Sequence, residues 1–343
     1  MARLQTRLKS LLKYADLTQI GIEIAPYFNP ALPKRNGHDV RILDVFDTDT
    51  LRQRAAQDPF IEKKRIDEIE DVDFVGDACR IGDVVKKVEM EGQFAFIISS
   101  HNFEHLSNPI EFLRGCHAAL SPGGVLSMAI PDYRACFDHF RVPTQLAQWL
   151  QAYHEDRRMP SPETIFDSCA NRSLYRRGET RVTGCNLATS NPDNFVLEVD
   201  LNQQYRDYLA RLQHHDTYTD AHCSVLIPEI FEFLLRDLNY LGLVDLEILE
   251  IMPTQGHEFF VHLRKPEAPQ PKDEALFYAR RSELAHAISY RVGATPFGTR
   301  PRWEVAEAPR PSFLRMLFQP TRLKAEIREL NRRRIARRRR KTA

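Results

Sequence analysis

Long apolar runs, cysteine pairs, internal repeats and glycine are all scarce in this 343-residue chain. Each scarcity excludes something. No stretch of about 18 apolar residues occurs, so no segment is expected to span a bilayer. The first residues lead into an amphipathic stretch through Tyr14 instead of an apolar core ending in small residues. No cleaved export signal is therefore expected, and the cytoplasm is the expected compartment. The six cysteines (Cys79, Cys116, Cys136, Cys169, Cys185, Cys223) are dispersed without any C-x-x-C pair. That spacing argues against a zinc ribbon and a disulfide scaffold, and for reduced thiols. With only 14 Gly and no repeating period, fibrous and solenoid classes are excluded too.

What is present is an ordinary apolar fraction, 43%, enough for a sizeable core, and a hidden charge asymmetry. The net charge is +1, yet residues 321–343 carry eleven Lys and Arg against two Glu, a net +9. The first 320 residues are left at −8, an acidic body with a basic tail.

Apolar runs at 19–25, 40–45, 73–75, 94–99 and 124–130 read as strands, alternating with helical patterns at 48–57, 60–69, 81–88 and 109–120. Such alternation implies βα units and a parallel sheet. Ser121-Pro122-Gly123-Gly124 ends the last helix and turns the chain. From about 132 to 221 the rhythm breaks, with one weak helical pattern at 201–214, and this reads as an insertion over one end of the sheet. A helix at 228–241 and two alternating segments, 244–251 and 257–263, then suit an antiparallel pair. The expected organisation is an N-terminal helix over 1–17, a main domain over 18–264, a Pro-rich linker over 265–272 and a helical, basic extension over 273–343.

Two segments carry the chemistry. The first strand reads Gly21-Ile22-Glu23-Ile24-Ala25-Pro26-Tyr27-Phe28-Asn29-Pro30. The fourth strand runs into Ser99-Ser100-His101-Asn102-Phe103-Glu104-His105-Leu106-Ser107-Asn108-Pro109, with Leu120-Ser121-Pro122-Gly123-Gly124 beyond it. Together they resemble class I S-adenosylmethionine-dependent methyltransferases, and the first segment resembles the G-x-E-I-G-P-x-x-N-P variant of sugar- and polysaccharide-associated members. The resemblance covers about 18–131 and 218–264. It implies a Rossmann-like, doubly wound α/β sheet with a terminal antiparallel strand pair, the insertion covering the acceptor site. The prolines at 26, 30 and 33 imply that the first helix of that fold is shortened or replaced by a loop.

The resemblance also implies a cofactor, S-adenosyl-L-methionine, and its contacts: Gly21, Glu23, Ala25, Pro26, Asn29, Asp44, Asp77, Ala78, Ser100 and His101. Ala25 stands where the family usually has glycine. Asp44 ends the second strand, where a carboxylate can accept both hydroxyls of a ribose. Asp77 ends the third, where it meets adenine or simply caps a helix. An attacking hydroxyl must lose a proton, and His101, Asp132 and His222 are the candidate bases, left open by the sequence.

His101-x-x-Glu104-His105 also matches an inverted zinc motif of metallopeptidases. That chemistry needs a continuous helix, and only a short turn fits between the strand and Pro109, so no metal is expected. The implied activity is O-methylation of a small-molecule or glycan acceptor, such as a surface-polysaccharide precursor. A non-catalytic, cofactor-binding scaffold is the alternative that Ala25 and the prolines favour. The tail pairs an apolar cluster at 313–318 with arginines at 332–340, which suits an anionic membrane surface at the inner face. Aromatics do not interleave with those arginines, so nucleic-acid recognition by stacking has little support.

Overall fold

The computed structural model describes residues 2–59, 61–268 and 273–293. The basic tail at 313–343, and residues 269–272 of the expected linker, lie outside the described residues.

A helix α1 (Ala2–Leu11) precedes β1 (Gly21–Ile24), β2 (Val40–Asp44), α2 (Thr48–Gln57), α3 (Lys63–Ile66) and β3 (Phe74–Val75). Next come α4 (Ile81–Lys87), β4 (Phe94–Ser100), α5 (Pro109–Ala119) and β5 (Leu120–Pro131). The sheet closes much later with β9 (Glu247–Ile251) and β10 (Glu258–Arg264), after α9 (Pro228–Tyr240). Its order is β3-β2-β1-β4-β5-β10-β9, with β10 antiparallel to both of its neighbours. This is the sheet of the class I methyltransferase fold, reached through parallel pairing of β1 with β2 and β4.

Between β1 and β2 the chain makes only one 3-10 turn, Lys34–Asn36, so a loop replaces the usual first helix. Gly21 is required where β1 crosses β4, because a Cβ there would lie 2.0 Å from the Phe96 ring. β5 begins earlier than its pattern suggests. Leu120 pairs with Phe94 and Val125 with Phe96, so the Pro-Gly-Gly turn is a bulge inside the strand pair. The helical pattern at 60–69 yields only the single turn of α3.

Leu11, Leu32, Val40, Ile42, Phe96, Ile98 and Phe260 pack together against one face of the sheet. Elsewhere Phe103 lies among Phe112, Trp149 and Phe231, with ring centroids 5.4–5.9 Å apart. Between β5 and α9 stand α6 (Leu146–His154), α7 (Pro162–Ala170), β6 (Ser173–Arg177), β7 (Thr180–Val182), β8 (Phe195–Leu197) and α8 (Leu201–Gln213). The segment is thus more regular than its polar sequence suggests, with β7-β6-β8 forming a second sheet. A helix α10 (Glu274–Gly293) follows, joined to α9 by Arg280–Glu232 and Arg281–Asp237 ion pairs. All six cysteines are free.

Candidate functional site

The carboxyl ends of β1 to β5 converge, and the site divides there into two halves. In the first, Ala25 leaves β1 with φ +46°, the left-handed conformation that glycine adopts freely. Tyr27 follows with φ +50°. The loop is pulled inward by Glu23, which is buried and accepts the backbone N–H of Ala31 at 2.7 Å and Leu32 at 3.1 Å. Burial outweighs those two hydrogen bonds and pushes the Glu23 carboxyl up to about 7. Glu23 therefore shapes the loop from below, and its two oxygens are spent on backbone. Asn29 is engaged by the Arg65 guanidinium at 3.3 Å.

Asp44 is 5% exposed, accepts the Phe46 N–H at 3.0 Å, and has no ion-pair partner among the described residues. Desolvation raises its pKa above the ordinary value, against the pull of the Phe46 and Val45 amides. Asp77 caps the turn Ala78–Arg80 by accepting the Cys79 N–H at 2.9 Å. Its capping role is thus present, with Ala78 buried behind it.

The second half is dense with charge. His101 leaves β4 at φ +51°. Its Nε2 donates to Glu258 at 2.9 Å and its Nδ1 lies 3.5 Å from Glu104. Arg7 reaches in from α1 and grips both Glu258 oxygens at 2.8 and 2.9 Å, and also donates to Ser100 Oγ at 2.7 Å. Burial disfavours a charged imidazole, but Glu104 and Glu258 more than offset it and raise His101 to about 9. Glu258 is driven to about 2: burial opposes ionisation, and His101 and Arg7 overcome it. Both ring nitrogens of His101 thus face carboxylates, Nε2 at Glu258 and Nδ1 toward Glu104. Asp132 is fully buried, taking three hydrogen bonds from Arg134 and one, at 2.6 Å, from Thr254. It is a structural clamp with its lone pairs filled.

His222 is buried, with Nδ1 bonded to Asp138. It meets His105 at 4.6 Å between ring centroids, and His105 donates to Asp220 at 2.8 Å. The structure thus gathers His101, Glu104, His105 and His222, and leaves Asp132 beside His257. Sequence reasoning missed Arg7, Glu258 and Asp138. A carboxylate opening the apolar strand Glu258–Arg264 was a usable signal; Arg7 offered none.

Residues 16–175 match the family model of a methyltransferase domain. No curated protein matches the chain. Among solved structures, it is similar to a SAM-dependent methyltransferase from Methanosarcina mazei (13% identity, TM-score 0.34, covering 75% of this chain and 96% of that one). An S-adenosylmethionine-dependent methyltransferase from Mesorhizobium loti gives 14%, 0.34, 77% and 96% by the same measures. A glycopeptide N-methyltransferase complexed with S-adenosyl-L-methionine gives 12%, 0.32, 76% and 86%.

Proposed function

We propose that the chain is an S-adenosylmethionine-dependent methyltransferase acting on an oxygen of a sugar or surface-polysaccharide precursor. The observation that carries the cofactor reading is Asp44: a carboxylate almost out of water, without a cation, at the end of the strand beside the left-handed turn at Ala25. Burying a carboxylate on backbone amides alone, with no cation, is costly, and a ribose diol supplies further donors. The residues fit the group: Asp44 for the ribose, Asp77 and Ala78 for the adenine end, and the loop from Ala25 to Asn29 alongside. When bound, S-adenosylmethionine supplies an electrophilic methyl on a sulfonium.

The chain's own part is placement and charge. Phe103, buried among three aromatic rings, pins the loop after β4, so the groups at 101–105 meet an acceptor in fixed orientation. The proton of an attacking hydroxyl finds its acceptor at His222, whose Nε2 is uncommitted among the described residues while Asp138 holds Nδ1. The sugar part rests on the likeness of the first segment. The basic tail is proposed to hold the enzyme at an anionic bilayer on the cytoplasmic side; no helix among the described residues is long and apolar enough to cross one.

Calorimetry with S-adenosylmethionine and S-adenosylhomocysteine tests the reading. Binding of both is expected, and binding of neither overturns it. The missing helix after β1 favours one second reading, a binder that holds the cofactor without transferring methyl. Cofactor binding with no turnover on any hydroxylated glycan acceptor selects it. For the tail, liposome sedimentation should be lost on removing residues 313–343, and equal sedimentation of both chains rules the anchor out.

A further inference from the structure

We propose that Glu104, His105 and His222 form a binding site for a divalent transition-metal ion of the zinc class. One coordination position is left open to water or to a ligand oxygen. One donor atom from each residue lies within 4.8 Å of the others. The Glu104 side chain is 1% exposed, and its Oε2 has no hydrogen-bond partner. Glu104 Oε1 lies 3.5 Å from His101 Nδ1 and 3.8 Å from His105 Nε2, while buried carboxylate oxygens are almost always satisfied, so the unpartnered Oε2 leaves the carboxylate with capacity for a further cation.

The two histidines are already dressed as metal ligands. His105 donates Nδ1–H to Asp220 at 2.8 Å, and His222 donates Nδ1–H to Asp138. A carboxylate on the far nitrogen fixes the tautomer and leaves the Nε2 lone pair for the metal, the arrangement that zinc histidines commonly show. The two rings stand 88° apart, so the donors come from different directions. Backbone does the assembling: the N–H groups of Cys223 and Ser224 donate to the Glu104 carbonyl at 2.6 and 3.0 Å, which seats His222 beside residue 104.

Two imidazoles and one carboxylate suit zinc better than calcium or magnesium, which prefer all-oxygen shells. A tetrahedral ion needs donors about 3.3 Å apart, so the side chains must close by up to roughly 1.5 Å, within rotamer adjustment. The donor set differs from the inverted metallopeptidase motif, since His101 spends Nε2 on Glu258. It also departs from the sequence expectation of no metal. The two neighbouring clusters lack a free acid: Glu258 is held by Arg7 and His101, and Asp138 by Arg141 and His222.

The test uses the full chain, stripped with chelator and dialysed. Zn2+ calorimetry should give one equivalent, Co2+ should give the intense visible bands of a tetrahedral site, and Zn2+ should raise the melting temperature. His222→Ala and Glu104→Gln should each weaken Zn2+ binding at least 100-fold. Asp220→Asn alters a mostly exposed carboxylate outside the donor set and should weaken it about 10–100-fold with the fold intact. Wild-type protein that takes up less than half an equivalent overturns the proposal. So does unchanged affinity in Asp220→Asn, which decides the matter even where His222→Ala fails to fold. Equal losses in His101→Ala and His222→Ala overturn it in favour of the inverted motif. None of these readouts involves methyl transfer; a bound ion would occupy His222 Nε2 and so remove His222 as the proton acceptor, while the cofactor reading at Asp44 would be untouched.

Discussion

The two halves of the strand-end site are built by different means. At β1 to β3 the parts are local: a left-handed turn at Ala25, a glutamate holding backbone eight and nine residues on, an aspartate closing its own strand. At β4, β5 and β10 the parts are gathered from the whole chain. Arg7 and Glu258 are 251 residues apart, His101 and Glu258 157, His105 and Asp220 115. The first half leaves a carboxylate without a cation, while the second pairs almost every charge it buries. A half with an unpaired acid is prepared for a ligand that brings its own donors; in the other half the closed Arg7–Glu258–His101 pairs hold the frame beside the Glu104 cluster.

That contrast is broken first by Glu258→Gln. The change leaves Arg7 and His101 facing each other across a neutral amide in a largely buried site. Removing one partner of a buried pair costs roughly 3–5 kcal/mol. Arg7 is partly exposed, so the lower end, about 3 kcal/mol or slightly more, is expected in urea unfolding. Cofactor affinity should change less than twofold. A comparable loss of cofactor binding would mean that the halves are one unit.

The first half has its own electrostatic signature at Glu23. Its carboxyl titrates at about 7 in the folded chain against an ordinary 4.5, so between those values the folded state holds a proton that the unfolded state has lost. This group's contribution is therefore fully present below 4.5 and disappears as pH rises through 7. The difference amounts to about 3 kcal/mol. Urea unfolding at pH 5 and pH 8 should show wild type losing about 2.5 kcal/mol more stability than Glu23→Gln, the rest being lost already below pH 5. Parallel pH dependence in the two chains would place the Glu23 carboxylate in contact with solvent.

The same division explains what was legible in the sequence. Five strands, the loop in place of the first helix and the order of elements follow from apolar periodicity, prolines and glycines, all short-range signals. The place of Asp44 at the end of β2 was readable because strand ends are local. The surroundings of His101 and Asp132 were not, because distant parts of the chain supply them. Arg134 sits two residues from Asp132 and could have warned of the clamp, but Thr254 and Glu258 arrive only through the antiparallel pairing of β10 with β5. The second sheet escaped notice because its strands are three to five residues long, too short for a period to show.

Asp44→Ala sharpens the comparison from the ligand's side. Each hydrogen bond to a charged acceptor is worth about 1.5–3 kcal/mol, so losing a bidentate contact should weaken S-adenosylmethionine binding by at least tenfold. Stability should hold or rise slightly, since an unpaired buried acid is removed. Calorimetry and thermal melting on one sample check both. Unchanged affinity in a folded variant would move the ribose away from β2.

The smallest expected effect bears on how the first half came to use alanine. A non-glycine residue at φ +46° carries backbone strain that glycine does not, of order 1 kcal/mol. Glycine also gains entropy in the unfolded chain, which acts in the opposite direction by about 0.4–1 kcal/mol. Ala25→Gly should therefore change stability by less than about 1 kcal/mol, with strain relief and unfolded-state entropy nearly cancelling. Binding responds differently. If the left-handed turn is already set by the Ala25 N–H bond to the Leu43 carbonyl at 2.8 Å and by Glu23 beneath the loop, cofactor affinity should stay within about threefold. A gain of tenfold or more in Ala25→Gly would show that the alanine methyl obstructs the cofactor. The first half would then be a degraded site, and the comparison would favour the binder over the enzyme.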